Sequence, residues 1–189
     1  MKWLFIGLVA VFAAAIVGGG IAALCRRRPK IETDDIDGGV VKRYWADVPK
    51  VIKSTEIVTF HFEISLFAAC KTDGLGHRVY TLDAALKAGE VLVKYDWYDR
   101  QGGRDKGEYK ADADFMTRLQ EIVAAHNFAQ HNGYYHTVSG LPDMYGESLD
   151  IIYASGERIY VHDNQSCFLP HEAEKALIML FGAATKLEH

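Results

Sequence analysis

An uninterrupted apolar segment, residues 3–25, constrains this chain more than any other feature of its sequence. It begins at Trp3, ends at Cys25, and its 23 residues contain neither a charged side chain nor a proline. A helix that rises about 1.5 Å per residue covers with this length the roughly 30 Å hydrocarbon core of a bilayer. The apolar part of a cleaved secretory signal is shorter, at about 7–15 residues. The segment therefore predicts a transmembrane helix within an anchor at residues 1–30.

The cations beside the segment predict how the chain crosses the membrane. Lys2 precedes the segment, whereas the basic sequence RRRPK at residues 26–30 follows it. Because Lys and Arg near a span prefer the cytoplasmic side, we expect a single-pass protein with a cytoplasmic carboxy-terminal domain. In that compartment Cys70 and Cys167 are thiols, whereas an oxidising compartment would allow them to form a disulfide.

Small residues recur at every fourth position of the apolar segment, at Ala10, Ala14, Gly18 and Ala22. Such a stripe lets a second membrane helix approach closely, which is one route to self-association. A segment so rich in alanine also produces this spacing by chance, so both interpretations stay open.

The remainder of the chain is acidic. After Lys30 it carries 25 acidic side chains against 16 Lys and Arg, a net charge of −9. Nucleic-acid binding rests on a basic surface that displaces counterions, so no nucleic-acid partner is expected. We interpret residues 31–53 as a linker and an arm, residues 54–186 as one domain, and residues 187–189 as a tag remnant.

Hydrophobic periodicity predicts the elements of that domain. Apolar and polar residues alternate from position 56 to 66, and residues typical of strands follow at 78–82 and 91–98, before a polar loop at 99–107. A helical spacing begins at Asp114 and ends at His126. Two strands at 149–153 and 158–162 form a hairpin, and Pro170 begins a second helix that runs to about Ala183. The order β-β-β-α-β-β-α predicts an α+β, two-layer fold with an antiparallel sheet of about five strands and two helices.

Three histidines, His126, His131 and His136, are spaced five residues apart. Imidazole is a good zinc or copper ligand. A spacing of five, however, places residues on different sides of a helix, and Gly133 interrupts the helix between them. We therefore expect no metal site and no other cofactor.

Cys167 and His171 flank the start of the second predicted helix, and His162 lies a few residues earlier. A thiol near an imidazole at a helix start is one way to make a nucleophile. No known nucleophile motif surrounds Cys167, and a small packing residue would suit the same position. These three residues are the candidate catalytic residues of a small hydrolase or transferase.

An aromatic, glycine-bent segment at residues 133–146 contains Tyr134, Tyr135, His136 and Tyr145. Tyrosine offers a large apolar ring with a polar tip, which suits a contact surface for a protein, a peptide or a sugar. We take these four residues as the candidate binding residues.

Several segments carry a resemblance to a known domain. They include VPKVIKSTEIVTFHFEIS, HRVYTL, FAQHNGYYHTVSGLPDMYG and LDIIYASGERIYVHDNQ. Together they resemble a recurrent, uncharacterised domain of Clostridia-type bacteria, over most of residues 48–181. In such relatives the domain follows a membrane span or a short zinc ribbon, which implies a cytoplasmic face but brings no activity. The ribbon's cysteines are absent from this chain, so the resemblance implies no metal.

Two hypotheses follow from the sequence. The favoured one is a membrane-anchored, non-catalytic binding or scaffold module. The alternative is a small cysteine- and histidine-dependent hydrolase or transferase.

Overall fold

An eight-stranded sheet forms the centre of the protein. The computed structural model describes residues 40–69, 72, 74–112, 114–139 and 146–183. Two helices, α1 (Phe115–Ala125) and α2 (His171–Leu180), accompany the sheet, with a short 3-10 helix at Phe128–His131. The strands are β1 (Val40–Tyr44), β2 (Ile57–Ser65), β3 (Arg78–Lys87), β4 (Glu90–Asp99), β5 (Arg104–Ala111), β6 (Tyr134–Val138), β7 (Gly146–Tyr153) and β8 (Arg158–Asp163).

The strands follow the order β1-β6-β8-β7-β2-β3-β4-β5 across the sheet. Strands β6 and β8 run parallel, and the other neighbouring pairs are antiparallel. A two-residue turn joins β3 to β4 through Ala88 and Gly89, both in the left-handed region with φ of 51° and 83°. This geometry matches the right-handed twist of the flanking strands.

Both helices pack against the same face of the sheet. The buried residues of α1 recur every fourth position at Phe115, Leu119 and Val123, so that one stripe of the helix faces the core. Phe181, just after α2, places its ring 5.2 Å from that of Phe115 and 5.6 Å from that of Phe60 on β2. These ring contacts join both helices to the middle of the sheet.

The predicted antiparallel sheet of about five strands in β-β-β-α-β-β-α order is wrong. The sheet is mixed, and the described order is five strands, α1, three strands and α2. The three strands that the prediction lacked are β1, β5 and β6. The two predicted helices, the β7–β8 hairpin and the first three predicted strands are present.

Two of the missed strands, β1 and β5, are the edge strands of the sheet. Strand β5 is RDKGEYKA, and most of its residues are exposed, so hydrophobic periodicity cannot reveal it. Ion pairs to β4, between Lys94 and Glu108 and between Arg104 and Asp96, stabilise its pairing instead. Strand β1 comes from the predicted arm and pairs with β6, which lies about ninety residues away in sequence.

The predicted transmembrane segment lies outside the described residues, as do Cys70, Tyr145 and the predicted tag remnant. The described residues all belong to one compact unit, Asp35–His189. Within the described part of the chain, neither α1 nor α2 has the length and apolar character needed to cross a bilayer.

Candidate functional site

The sheet has one face that α1 and α2 cover and one face that neither helix covers, which we call the open face. On β2, for example, Phe60, Phe62 and Ile64 point into the core, whereas His61 and Glu63 point the other way. Side chains alternate in this way along every strand, so the residues of the open face follow from the strand register.

The register aligns open-face residues into two rows that run across the sheet. The central row crosses six strands and consists of Tyr160, Asp150, His61, Asp83, Lys94 and Glu108. The long row crosses all eight strands and consists of Arg43, Tyr135, His162, Ser148, Glu63, Thr81, Asp96 and Lys106. Every member of both rows is half-buried or exposed.

Each carboxylate of the central row contacts a cationic or ionisable partner. Arg158 donates from Nε to Asp150 at 2.7 Å, and Lys94 contacts Glu108 at 2.9 Å. His61 Nδ1 lies 2.7 Å from Asp83 Oδ1. The hydrogen bond to Asp83 raises the pKa of His61, against the opposing effect of burial. The row is therefore polar but carries no unbalanced block of one charge.

Two solvent-accessible grooves lie along the central row. One has a volume of about 530 Å³ and is lined by His61, Asp83, Lys94, Glu108 and Asp150, among others. The other, of about 440 Å³, shares three of these residues, Asp83, Lys94 and Glu108. The two grooves thus meet over the middle of the open face.

Aromatic rings occupy the end of the open face formed by β1, β6 and β8. The ring of Tyr135 stacks on His162 with centroids 5.1 Å apart and meets Trp45 edge-on at 6.2 Å. Nearby, the guanidinium of Arg158 lies 5.1 Å from the centre of the Tyr160 ring. We call Trp45, Tyr135 and His162 the aromatic strip.

The structure divides the predicted binding residues between the two faces. Tyr135 belongs to the aromatic strip. Tyr134 and His136 instead point to the covered side, where their side chains contact the buried Asp163 at 3.3 and 3.0 Å. Tyr145 lies outside the described residues. Of the four, only Tyr135 is shown on the open face.

A second cluster of polar side chains lies inside the protein, where the start of β7 meets α2. One ligand-type atom each from Glu147, Cys167 and Glu174 lies within 4.8 Å of the others. Glu147 and Glu174 are 1% and 3% exposed. We call these three residues the acid–thiol cluster.

Glu147 is held by the backbone just before α2. Its Oε2 accepts hydrogen bonds from the amides of Phe168 at 2.6 Å and Leu169 at 2.8 Å. Its Oε1 is buried and accepts no hydrogen bond from the described residues. Burial raises the pKa of Glu147 well above its ordinary value, and the charge of Glu174 raises it further, whereas the two amides oppose the shift. The two carboxyl groups can hydrogen-bond to each other only when one of them carries a proton.

The predicted catalytic residues do not assemble as the enzyme hypothesis requires. His171 contacts Glu174 through Nδ1 at 2.7 Å, and Cys167 is a thiol that packs against the core. Both lie on the covered side of the sheet. His162 projects from the open face in the aromatic strip. The sheet therefore separates His162 from Cys167 and His171.

The three evenly spaced histidines also occupy different places. His126 follows the last residue of α1, His131 ends the 3-10 helix, and His136 lies on β6. Burial lowers the pKa of His131, with a further contribution from Lys50.

Sequence reasoning missed most residues of both sites. Glu147 and Glu174 are both buried. The sequence offers one sign of this: Glu147 occupies an inward position of β7, where the other inward side chains, Leu149, Ile151 and Tyr153, are apolar. The two rows depend on contacts between strands that are distant in sequence, which no local motif records.

Comparisons of the chain with protein-family models, curated proteins and solved structures give no match. Functional arguments for this protein therefore rest on the geometry of the open face and of the acid–thiol cluster.

Proposed function

We propose that this chain is a membrane-tethered, non-catalytic binding module that presents the open face of its sheet to a protein or peptide partner. The observation that supports this function is the long row, which crosses all eight strands at half-buried or exposed positions. Both helices cover the opposite face. The two rows and the aromatic strip thus lie on the side of the sheet that neither helix covers.

The dimensions of the open face suit a protein partner. Eight strands spaced about 4.8 Å apart span about 34 Å across the sheet. A typical stable interface buries about 800 Å² on each partner, which is a patch about 28 Å wide. The open face is therefore wide enough to form such an interface without help from other elements.

The chemistry of the face supports the same partner class. Charges of both signs alternate along the central row and contact each other, so the face does not attract a polyanion. At one end the aromatic strip offers stacked rings, the residue type enriched in the energetic centres of protein interfaces. A partner that combines apolar and charged groups matches this surface.

The hydrolase or transferase alternative has no comparable support. Two carboxyl groups lie beside Cys167, and negative charge there disfavours the thiolate that a nucleophile needs. The imidazole of His171 contacts Glu174, and His162 lies across the sheet.

The membrane tether is the part of the proposal that rests on the sequence alone. Residues 3–25 have the length and composition of a span, and the RRRPK sequence after them favours a cytoplasmic domain. A reporter fused after Ala184 tests the orientation: cytoplasmic activity supports it, and activity only outside the cytoplasm reverses it. A Gly18→Leu variant tests self-association of the segment, because unchanged dimerisation in membranes removes the small-residue stripe as its cause.

Two tyrosine variants test the open face. Tyr135→Ala removes the central ring of the aromatic strip, whereas Tyr44→Ala removes an exposed ring from the opposite side of β1. We expect partners that co-purify with the full chain to be retained by Tyr44→Ala and weakened about tenfold or more by Tyr135→Ala. Thermal melting of both variants controls for folding. Equal retention of the same partners by both variants contradicts the proposal.

A further inference from the structure

We propose that Glu147, Cys167 and Glu174 bind a divalent transition metal ion of the zinc type. The inference is independent of the open face, which lies on the other side of the sheet. It starts from the position of the three side chains, whose ligand-type atoms lie within 4.8 Å of one another. Tetrahedral zinc with bonds of about 2.0–2.3 Å holds its ligand atoms about 3.5 Å apart, so the separations in the cluster exceed that spacing by at most about 1.3 Å.

Buried charge is the first argument for a cation. Glu147 and Glu174 are almost fully buried, and neither carboxylate can ionise cheaply beside the other. Glu147 Oε2 accepts hydrogen bonds from two amides, whereas the buried Oε1 has no donor among the described residues, because the carboxyl group of Glu174 beside it donates only when it is protonated. A divalent cation supplies the positive charge and the missing partner at the same time.

Pre-organisation is the second argument. The amides of Phe168 and Leu169 fix the carboxyl group of Glu147 from one side, and His171 Nδ1 fixes that of Glu174 at 2.7 Å. Such outer contacts orient the ligands of protein metal sites. The three candidate ligands also come from different elements, namely the start of β7, the segment before α2 and α2 itself. A bound ion would therefore hold these three elements together.

The ligand set indicates which metal fits. Carboxylates alone suit Mg²⁺ or Ca²⁺, but a thiolate selects softer ions such as Zn²⁺ or Co²⁺. On binding, the S–H bond of Cys167 breaks, its proton passes to solvent, and the sulfur forms the metal–thiolate bond. A proton shared by the two carboxyl groups also leaves to solvent when the ion takes its place.

Cobalt spectroscopy of the full chain in detergent tests the proposal. Co²⁺ added after chelator treatment should give a thiolate-to-cobalt charge-transfer band at a stoichiometry of one, and Zn²⁺ should abolish it. Cys167→Ser should lose the band, and Glu147→Gln should weaken Co²⁺ binding about tenfold or more. A Cys25→Ser, Cys70→Ser double variant is the matched control, because it keeps Cys167 as its only thiol and should keep the band.

Alkylation of Cys167 in the same double variant is a second measurement, and it leaves all three residues of the acid–thiol cluster unchanged. Zn²⁺ should slow alkylation of its single thiol about tenfold or more, and Mg²⁺ should not. Absence of the cobalt band in the native sequence, a band unchanged by Cys167→Ser, or alkylation unaffected by Zn²⁺ would each overturn the metal site. In that event a shared proton alone accounts for the two buried carboxyl groups.

Discussion

Replacing Glu147 by Ala or by Gln separates the structural part of this buried side chain from its charge. In the native chain one carboxyl oxygen accepts hydrogen bonds from the amides of Phe168 and Leu169. Ala removes the acceptor and leaves both amides without a partner. Gln has nearly the same shape, so its oxygen can accept both hydrogen bonds while its NH₂ group faces the carboxyl group of Glu174.

The expected magnitudes follow from these contacts. An unsatisfied buried donor costs about 1–3 kcal/mol, and the amide of Phe168 is only partly buried, so we expect Glu147→Ala to lower the free energy of unfolding by about 2–4 kcal/mol. Glu147→Gln keeps both acceptor contacts and brings no charge into the buried site, so its change should stay within about 1 kcal/mol.

Urea denaturation of the full chain in detergent measures both changes, with tryptophan fluorescence as the signal because Trp97 is 7% exposed in the folded protein. A chelator in every sample excludes any contribution from bound metal. If Gln destabilises as much as Ala, or if Ala has no effect, the two amide contacts do not explain why Glu147 is buried.

Three further predictions concern stability. Ala88→Asn should raise the free energy of unfolding by about 1 kcal/mol in urea denaturation, because Ala88 has a positive φ of 51° that Asn tolerates better; no gain would argue against strain in this turn. Gly146→Ala should destabilise strongly, because an added Cβ would lie 2.6 Å from the carbonyl oxygen of Asp163, and an unchanged melting temperature would contradict that packing. The hydrogen bond to Asp83 raises the pKa of His61 in the folded protein. The contact therefore stabilises the folded protein fully below the unfolded-state pKa of about 6.5, and this stabilisation is lost as the pH rises through the raised pKa. The stability difference between the native chain and His61→Gln should therefore shrink as the pH rises from below about 6.5 through the raised pKa of His61, and a constant difference would exclude this contact as its source.

Local patterns in the sequence predicted the elements that bury an apolar stripe. Strand β2 alternates strictly, and α1 repeats buried residues every fourth position, so both appear in the sequence with nearly their observed bounds. Strand β5 has no such stripe because it is a charged edge, and it is recognisable only from its ion pairs to β4. Strand β6 is short, and it forms because β1 and β8 pair with it on either side.

The candidate sites were hard to predict for the same reason, because they depend on contacts between elements that are distant in sequence. Tyr135 was predicted as a contact residue from its type and its neighbours, but Tyr134 beside it points to the covered side, because adjacent strand residues alternate. The central row arises from register between strands as distant as β8 and β5. Glu147 and Glu174 meet through the packing of α2 on the start of β7. The spacing of residues along the sequence does not predict these contacts between distant elements.

Site-specific photo-crosslinking in cells tests the central claim most directly. A photoreactive residue at Glu63, exposed in the long row, is compared with one at Glu121, exposed on α1. The open-face account predicts a discrete protein adduct from position 63 and none from position 121, with the adduct at 63 lost in the Tyr135→Ala background. Adducts of equal yield at both positions, or an adduct only at position 121, would contradict the assignment of the open face as the binding surface.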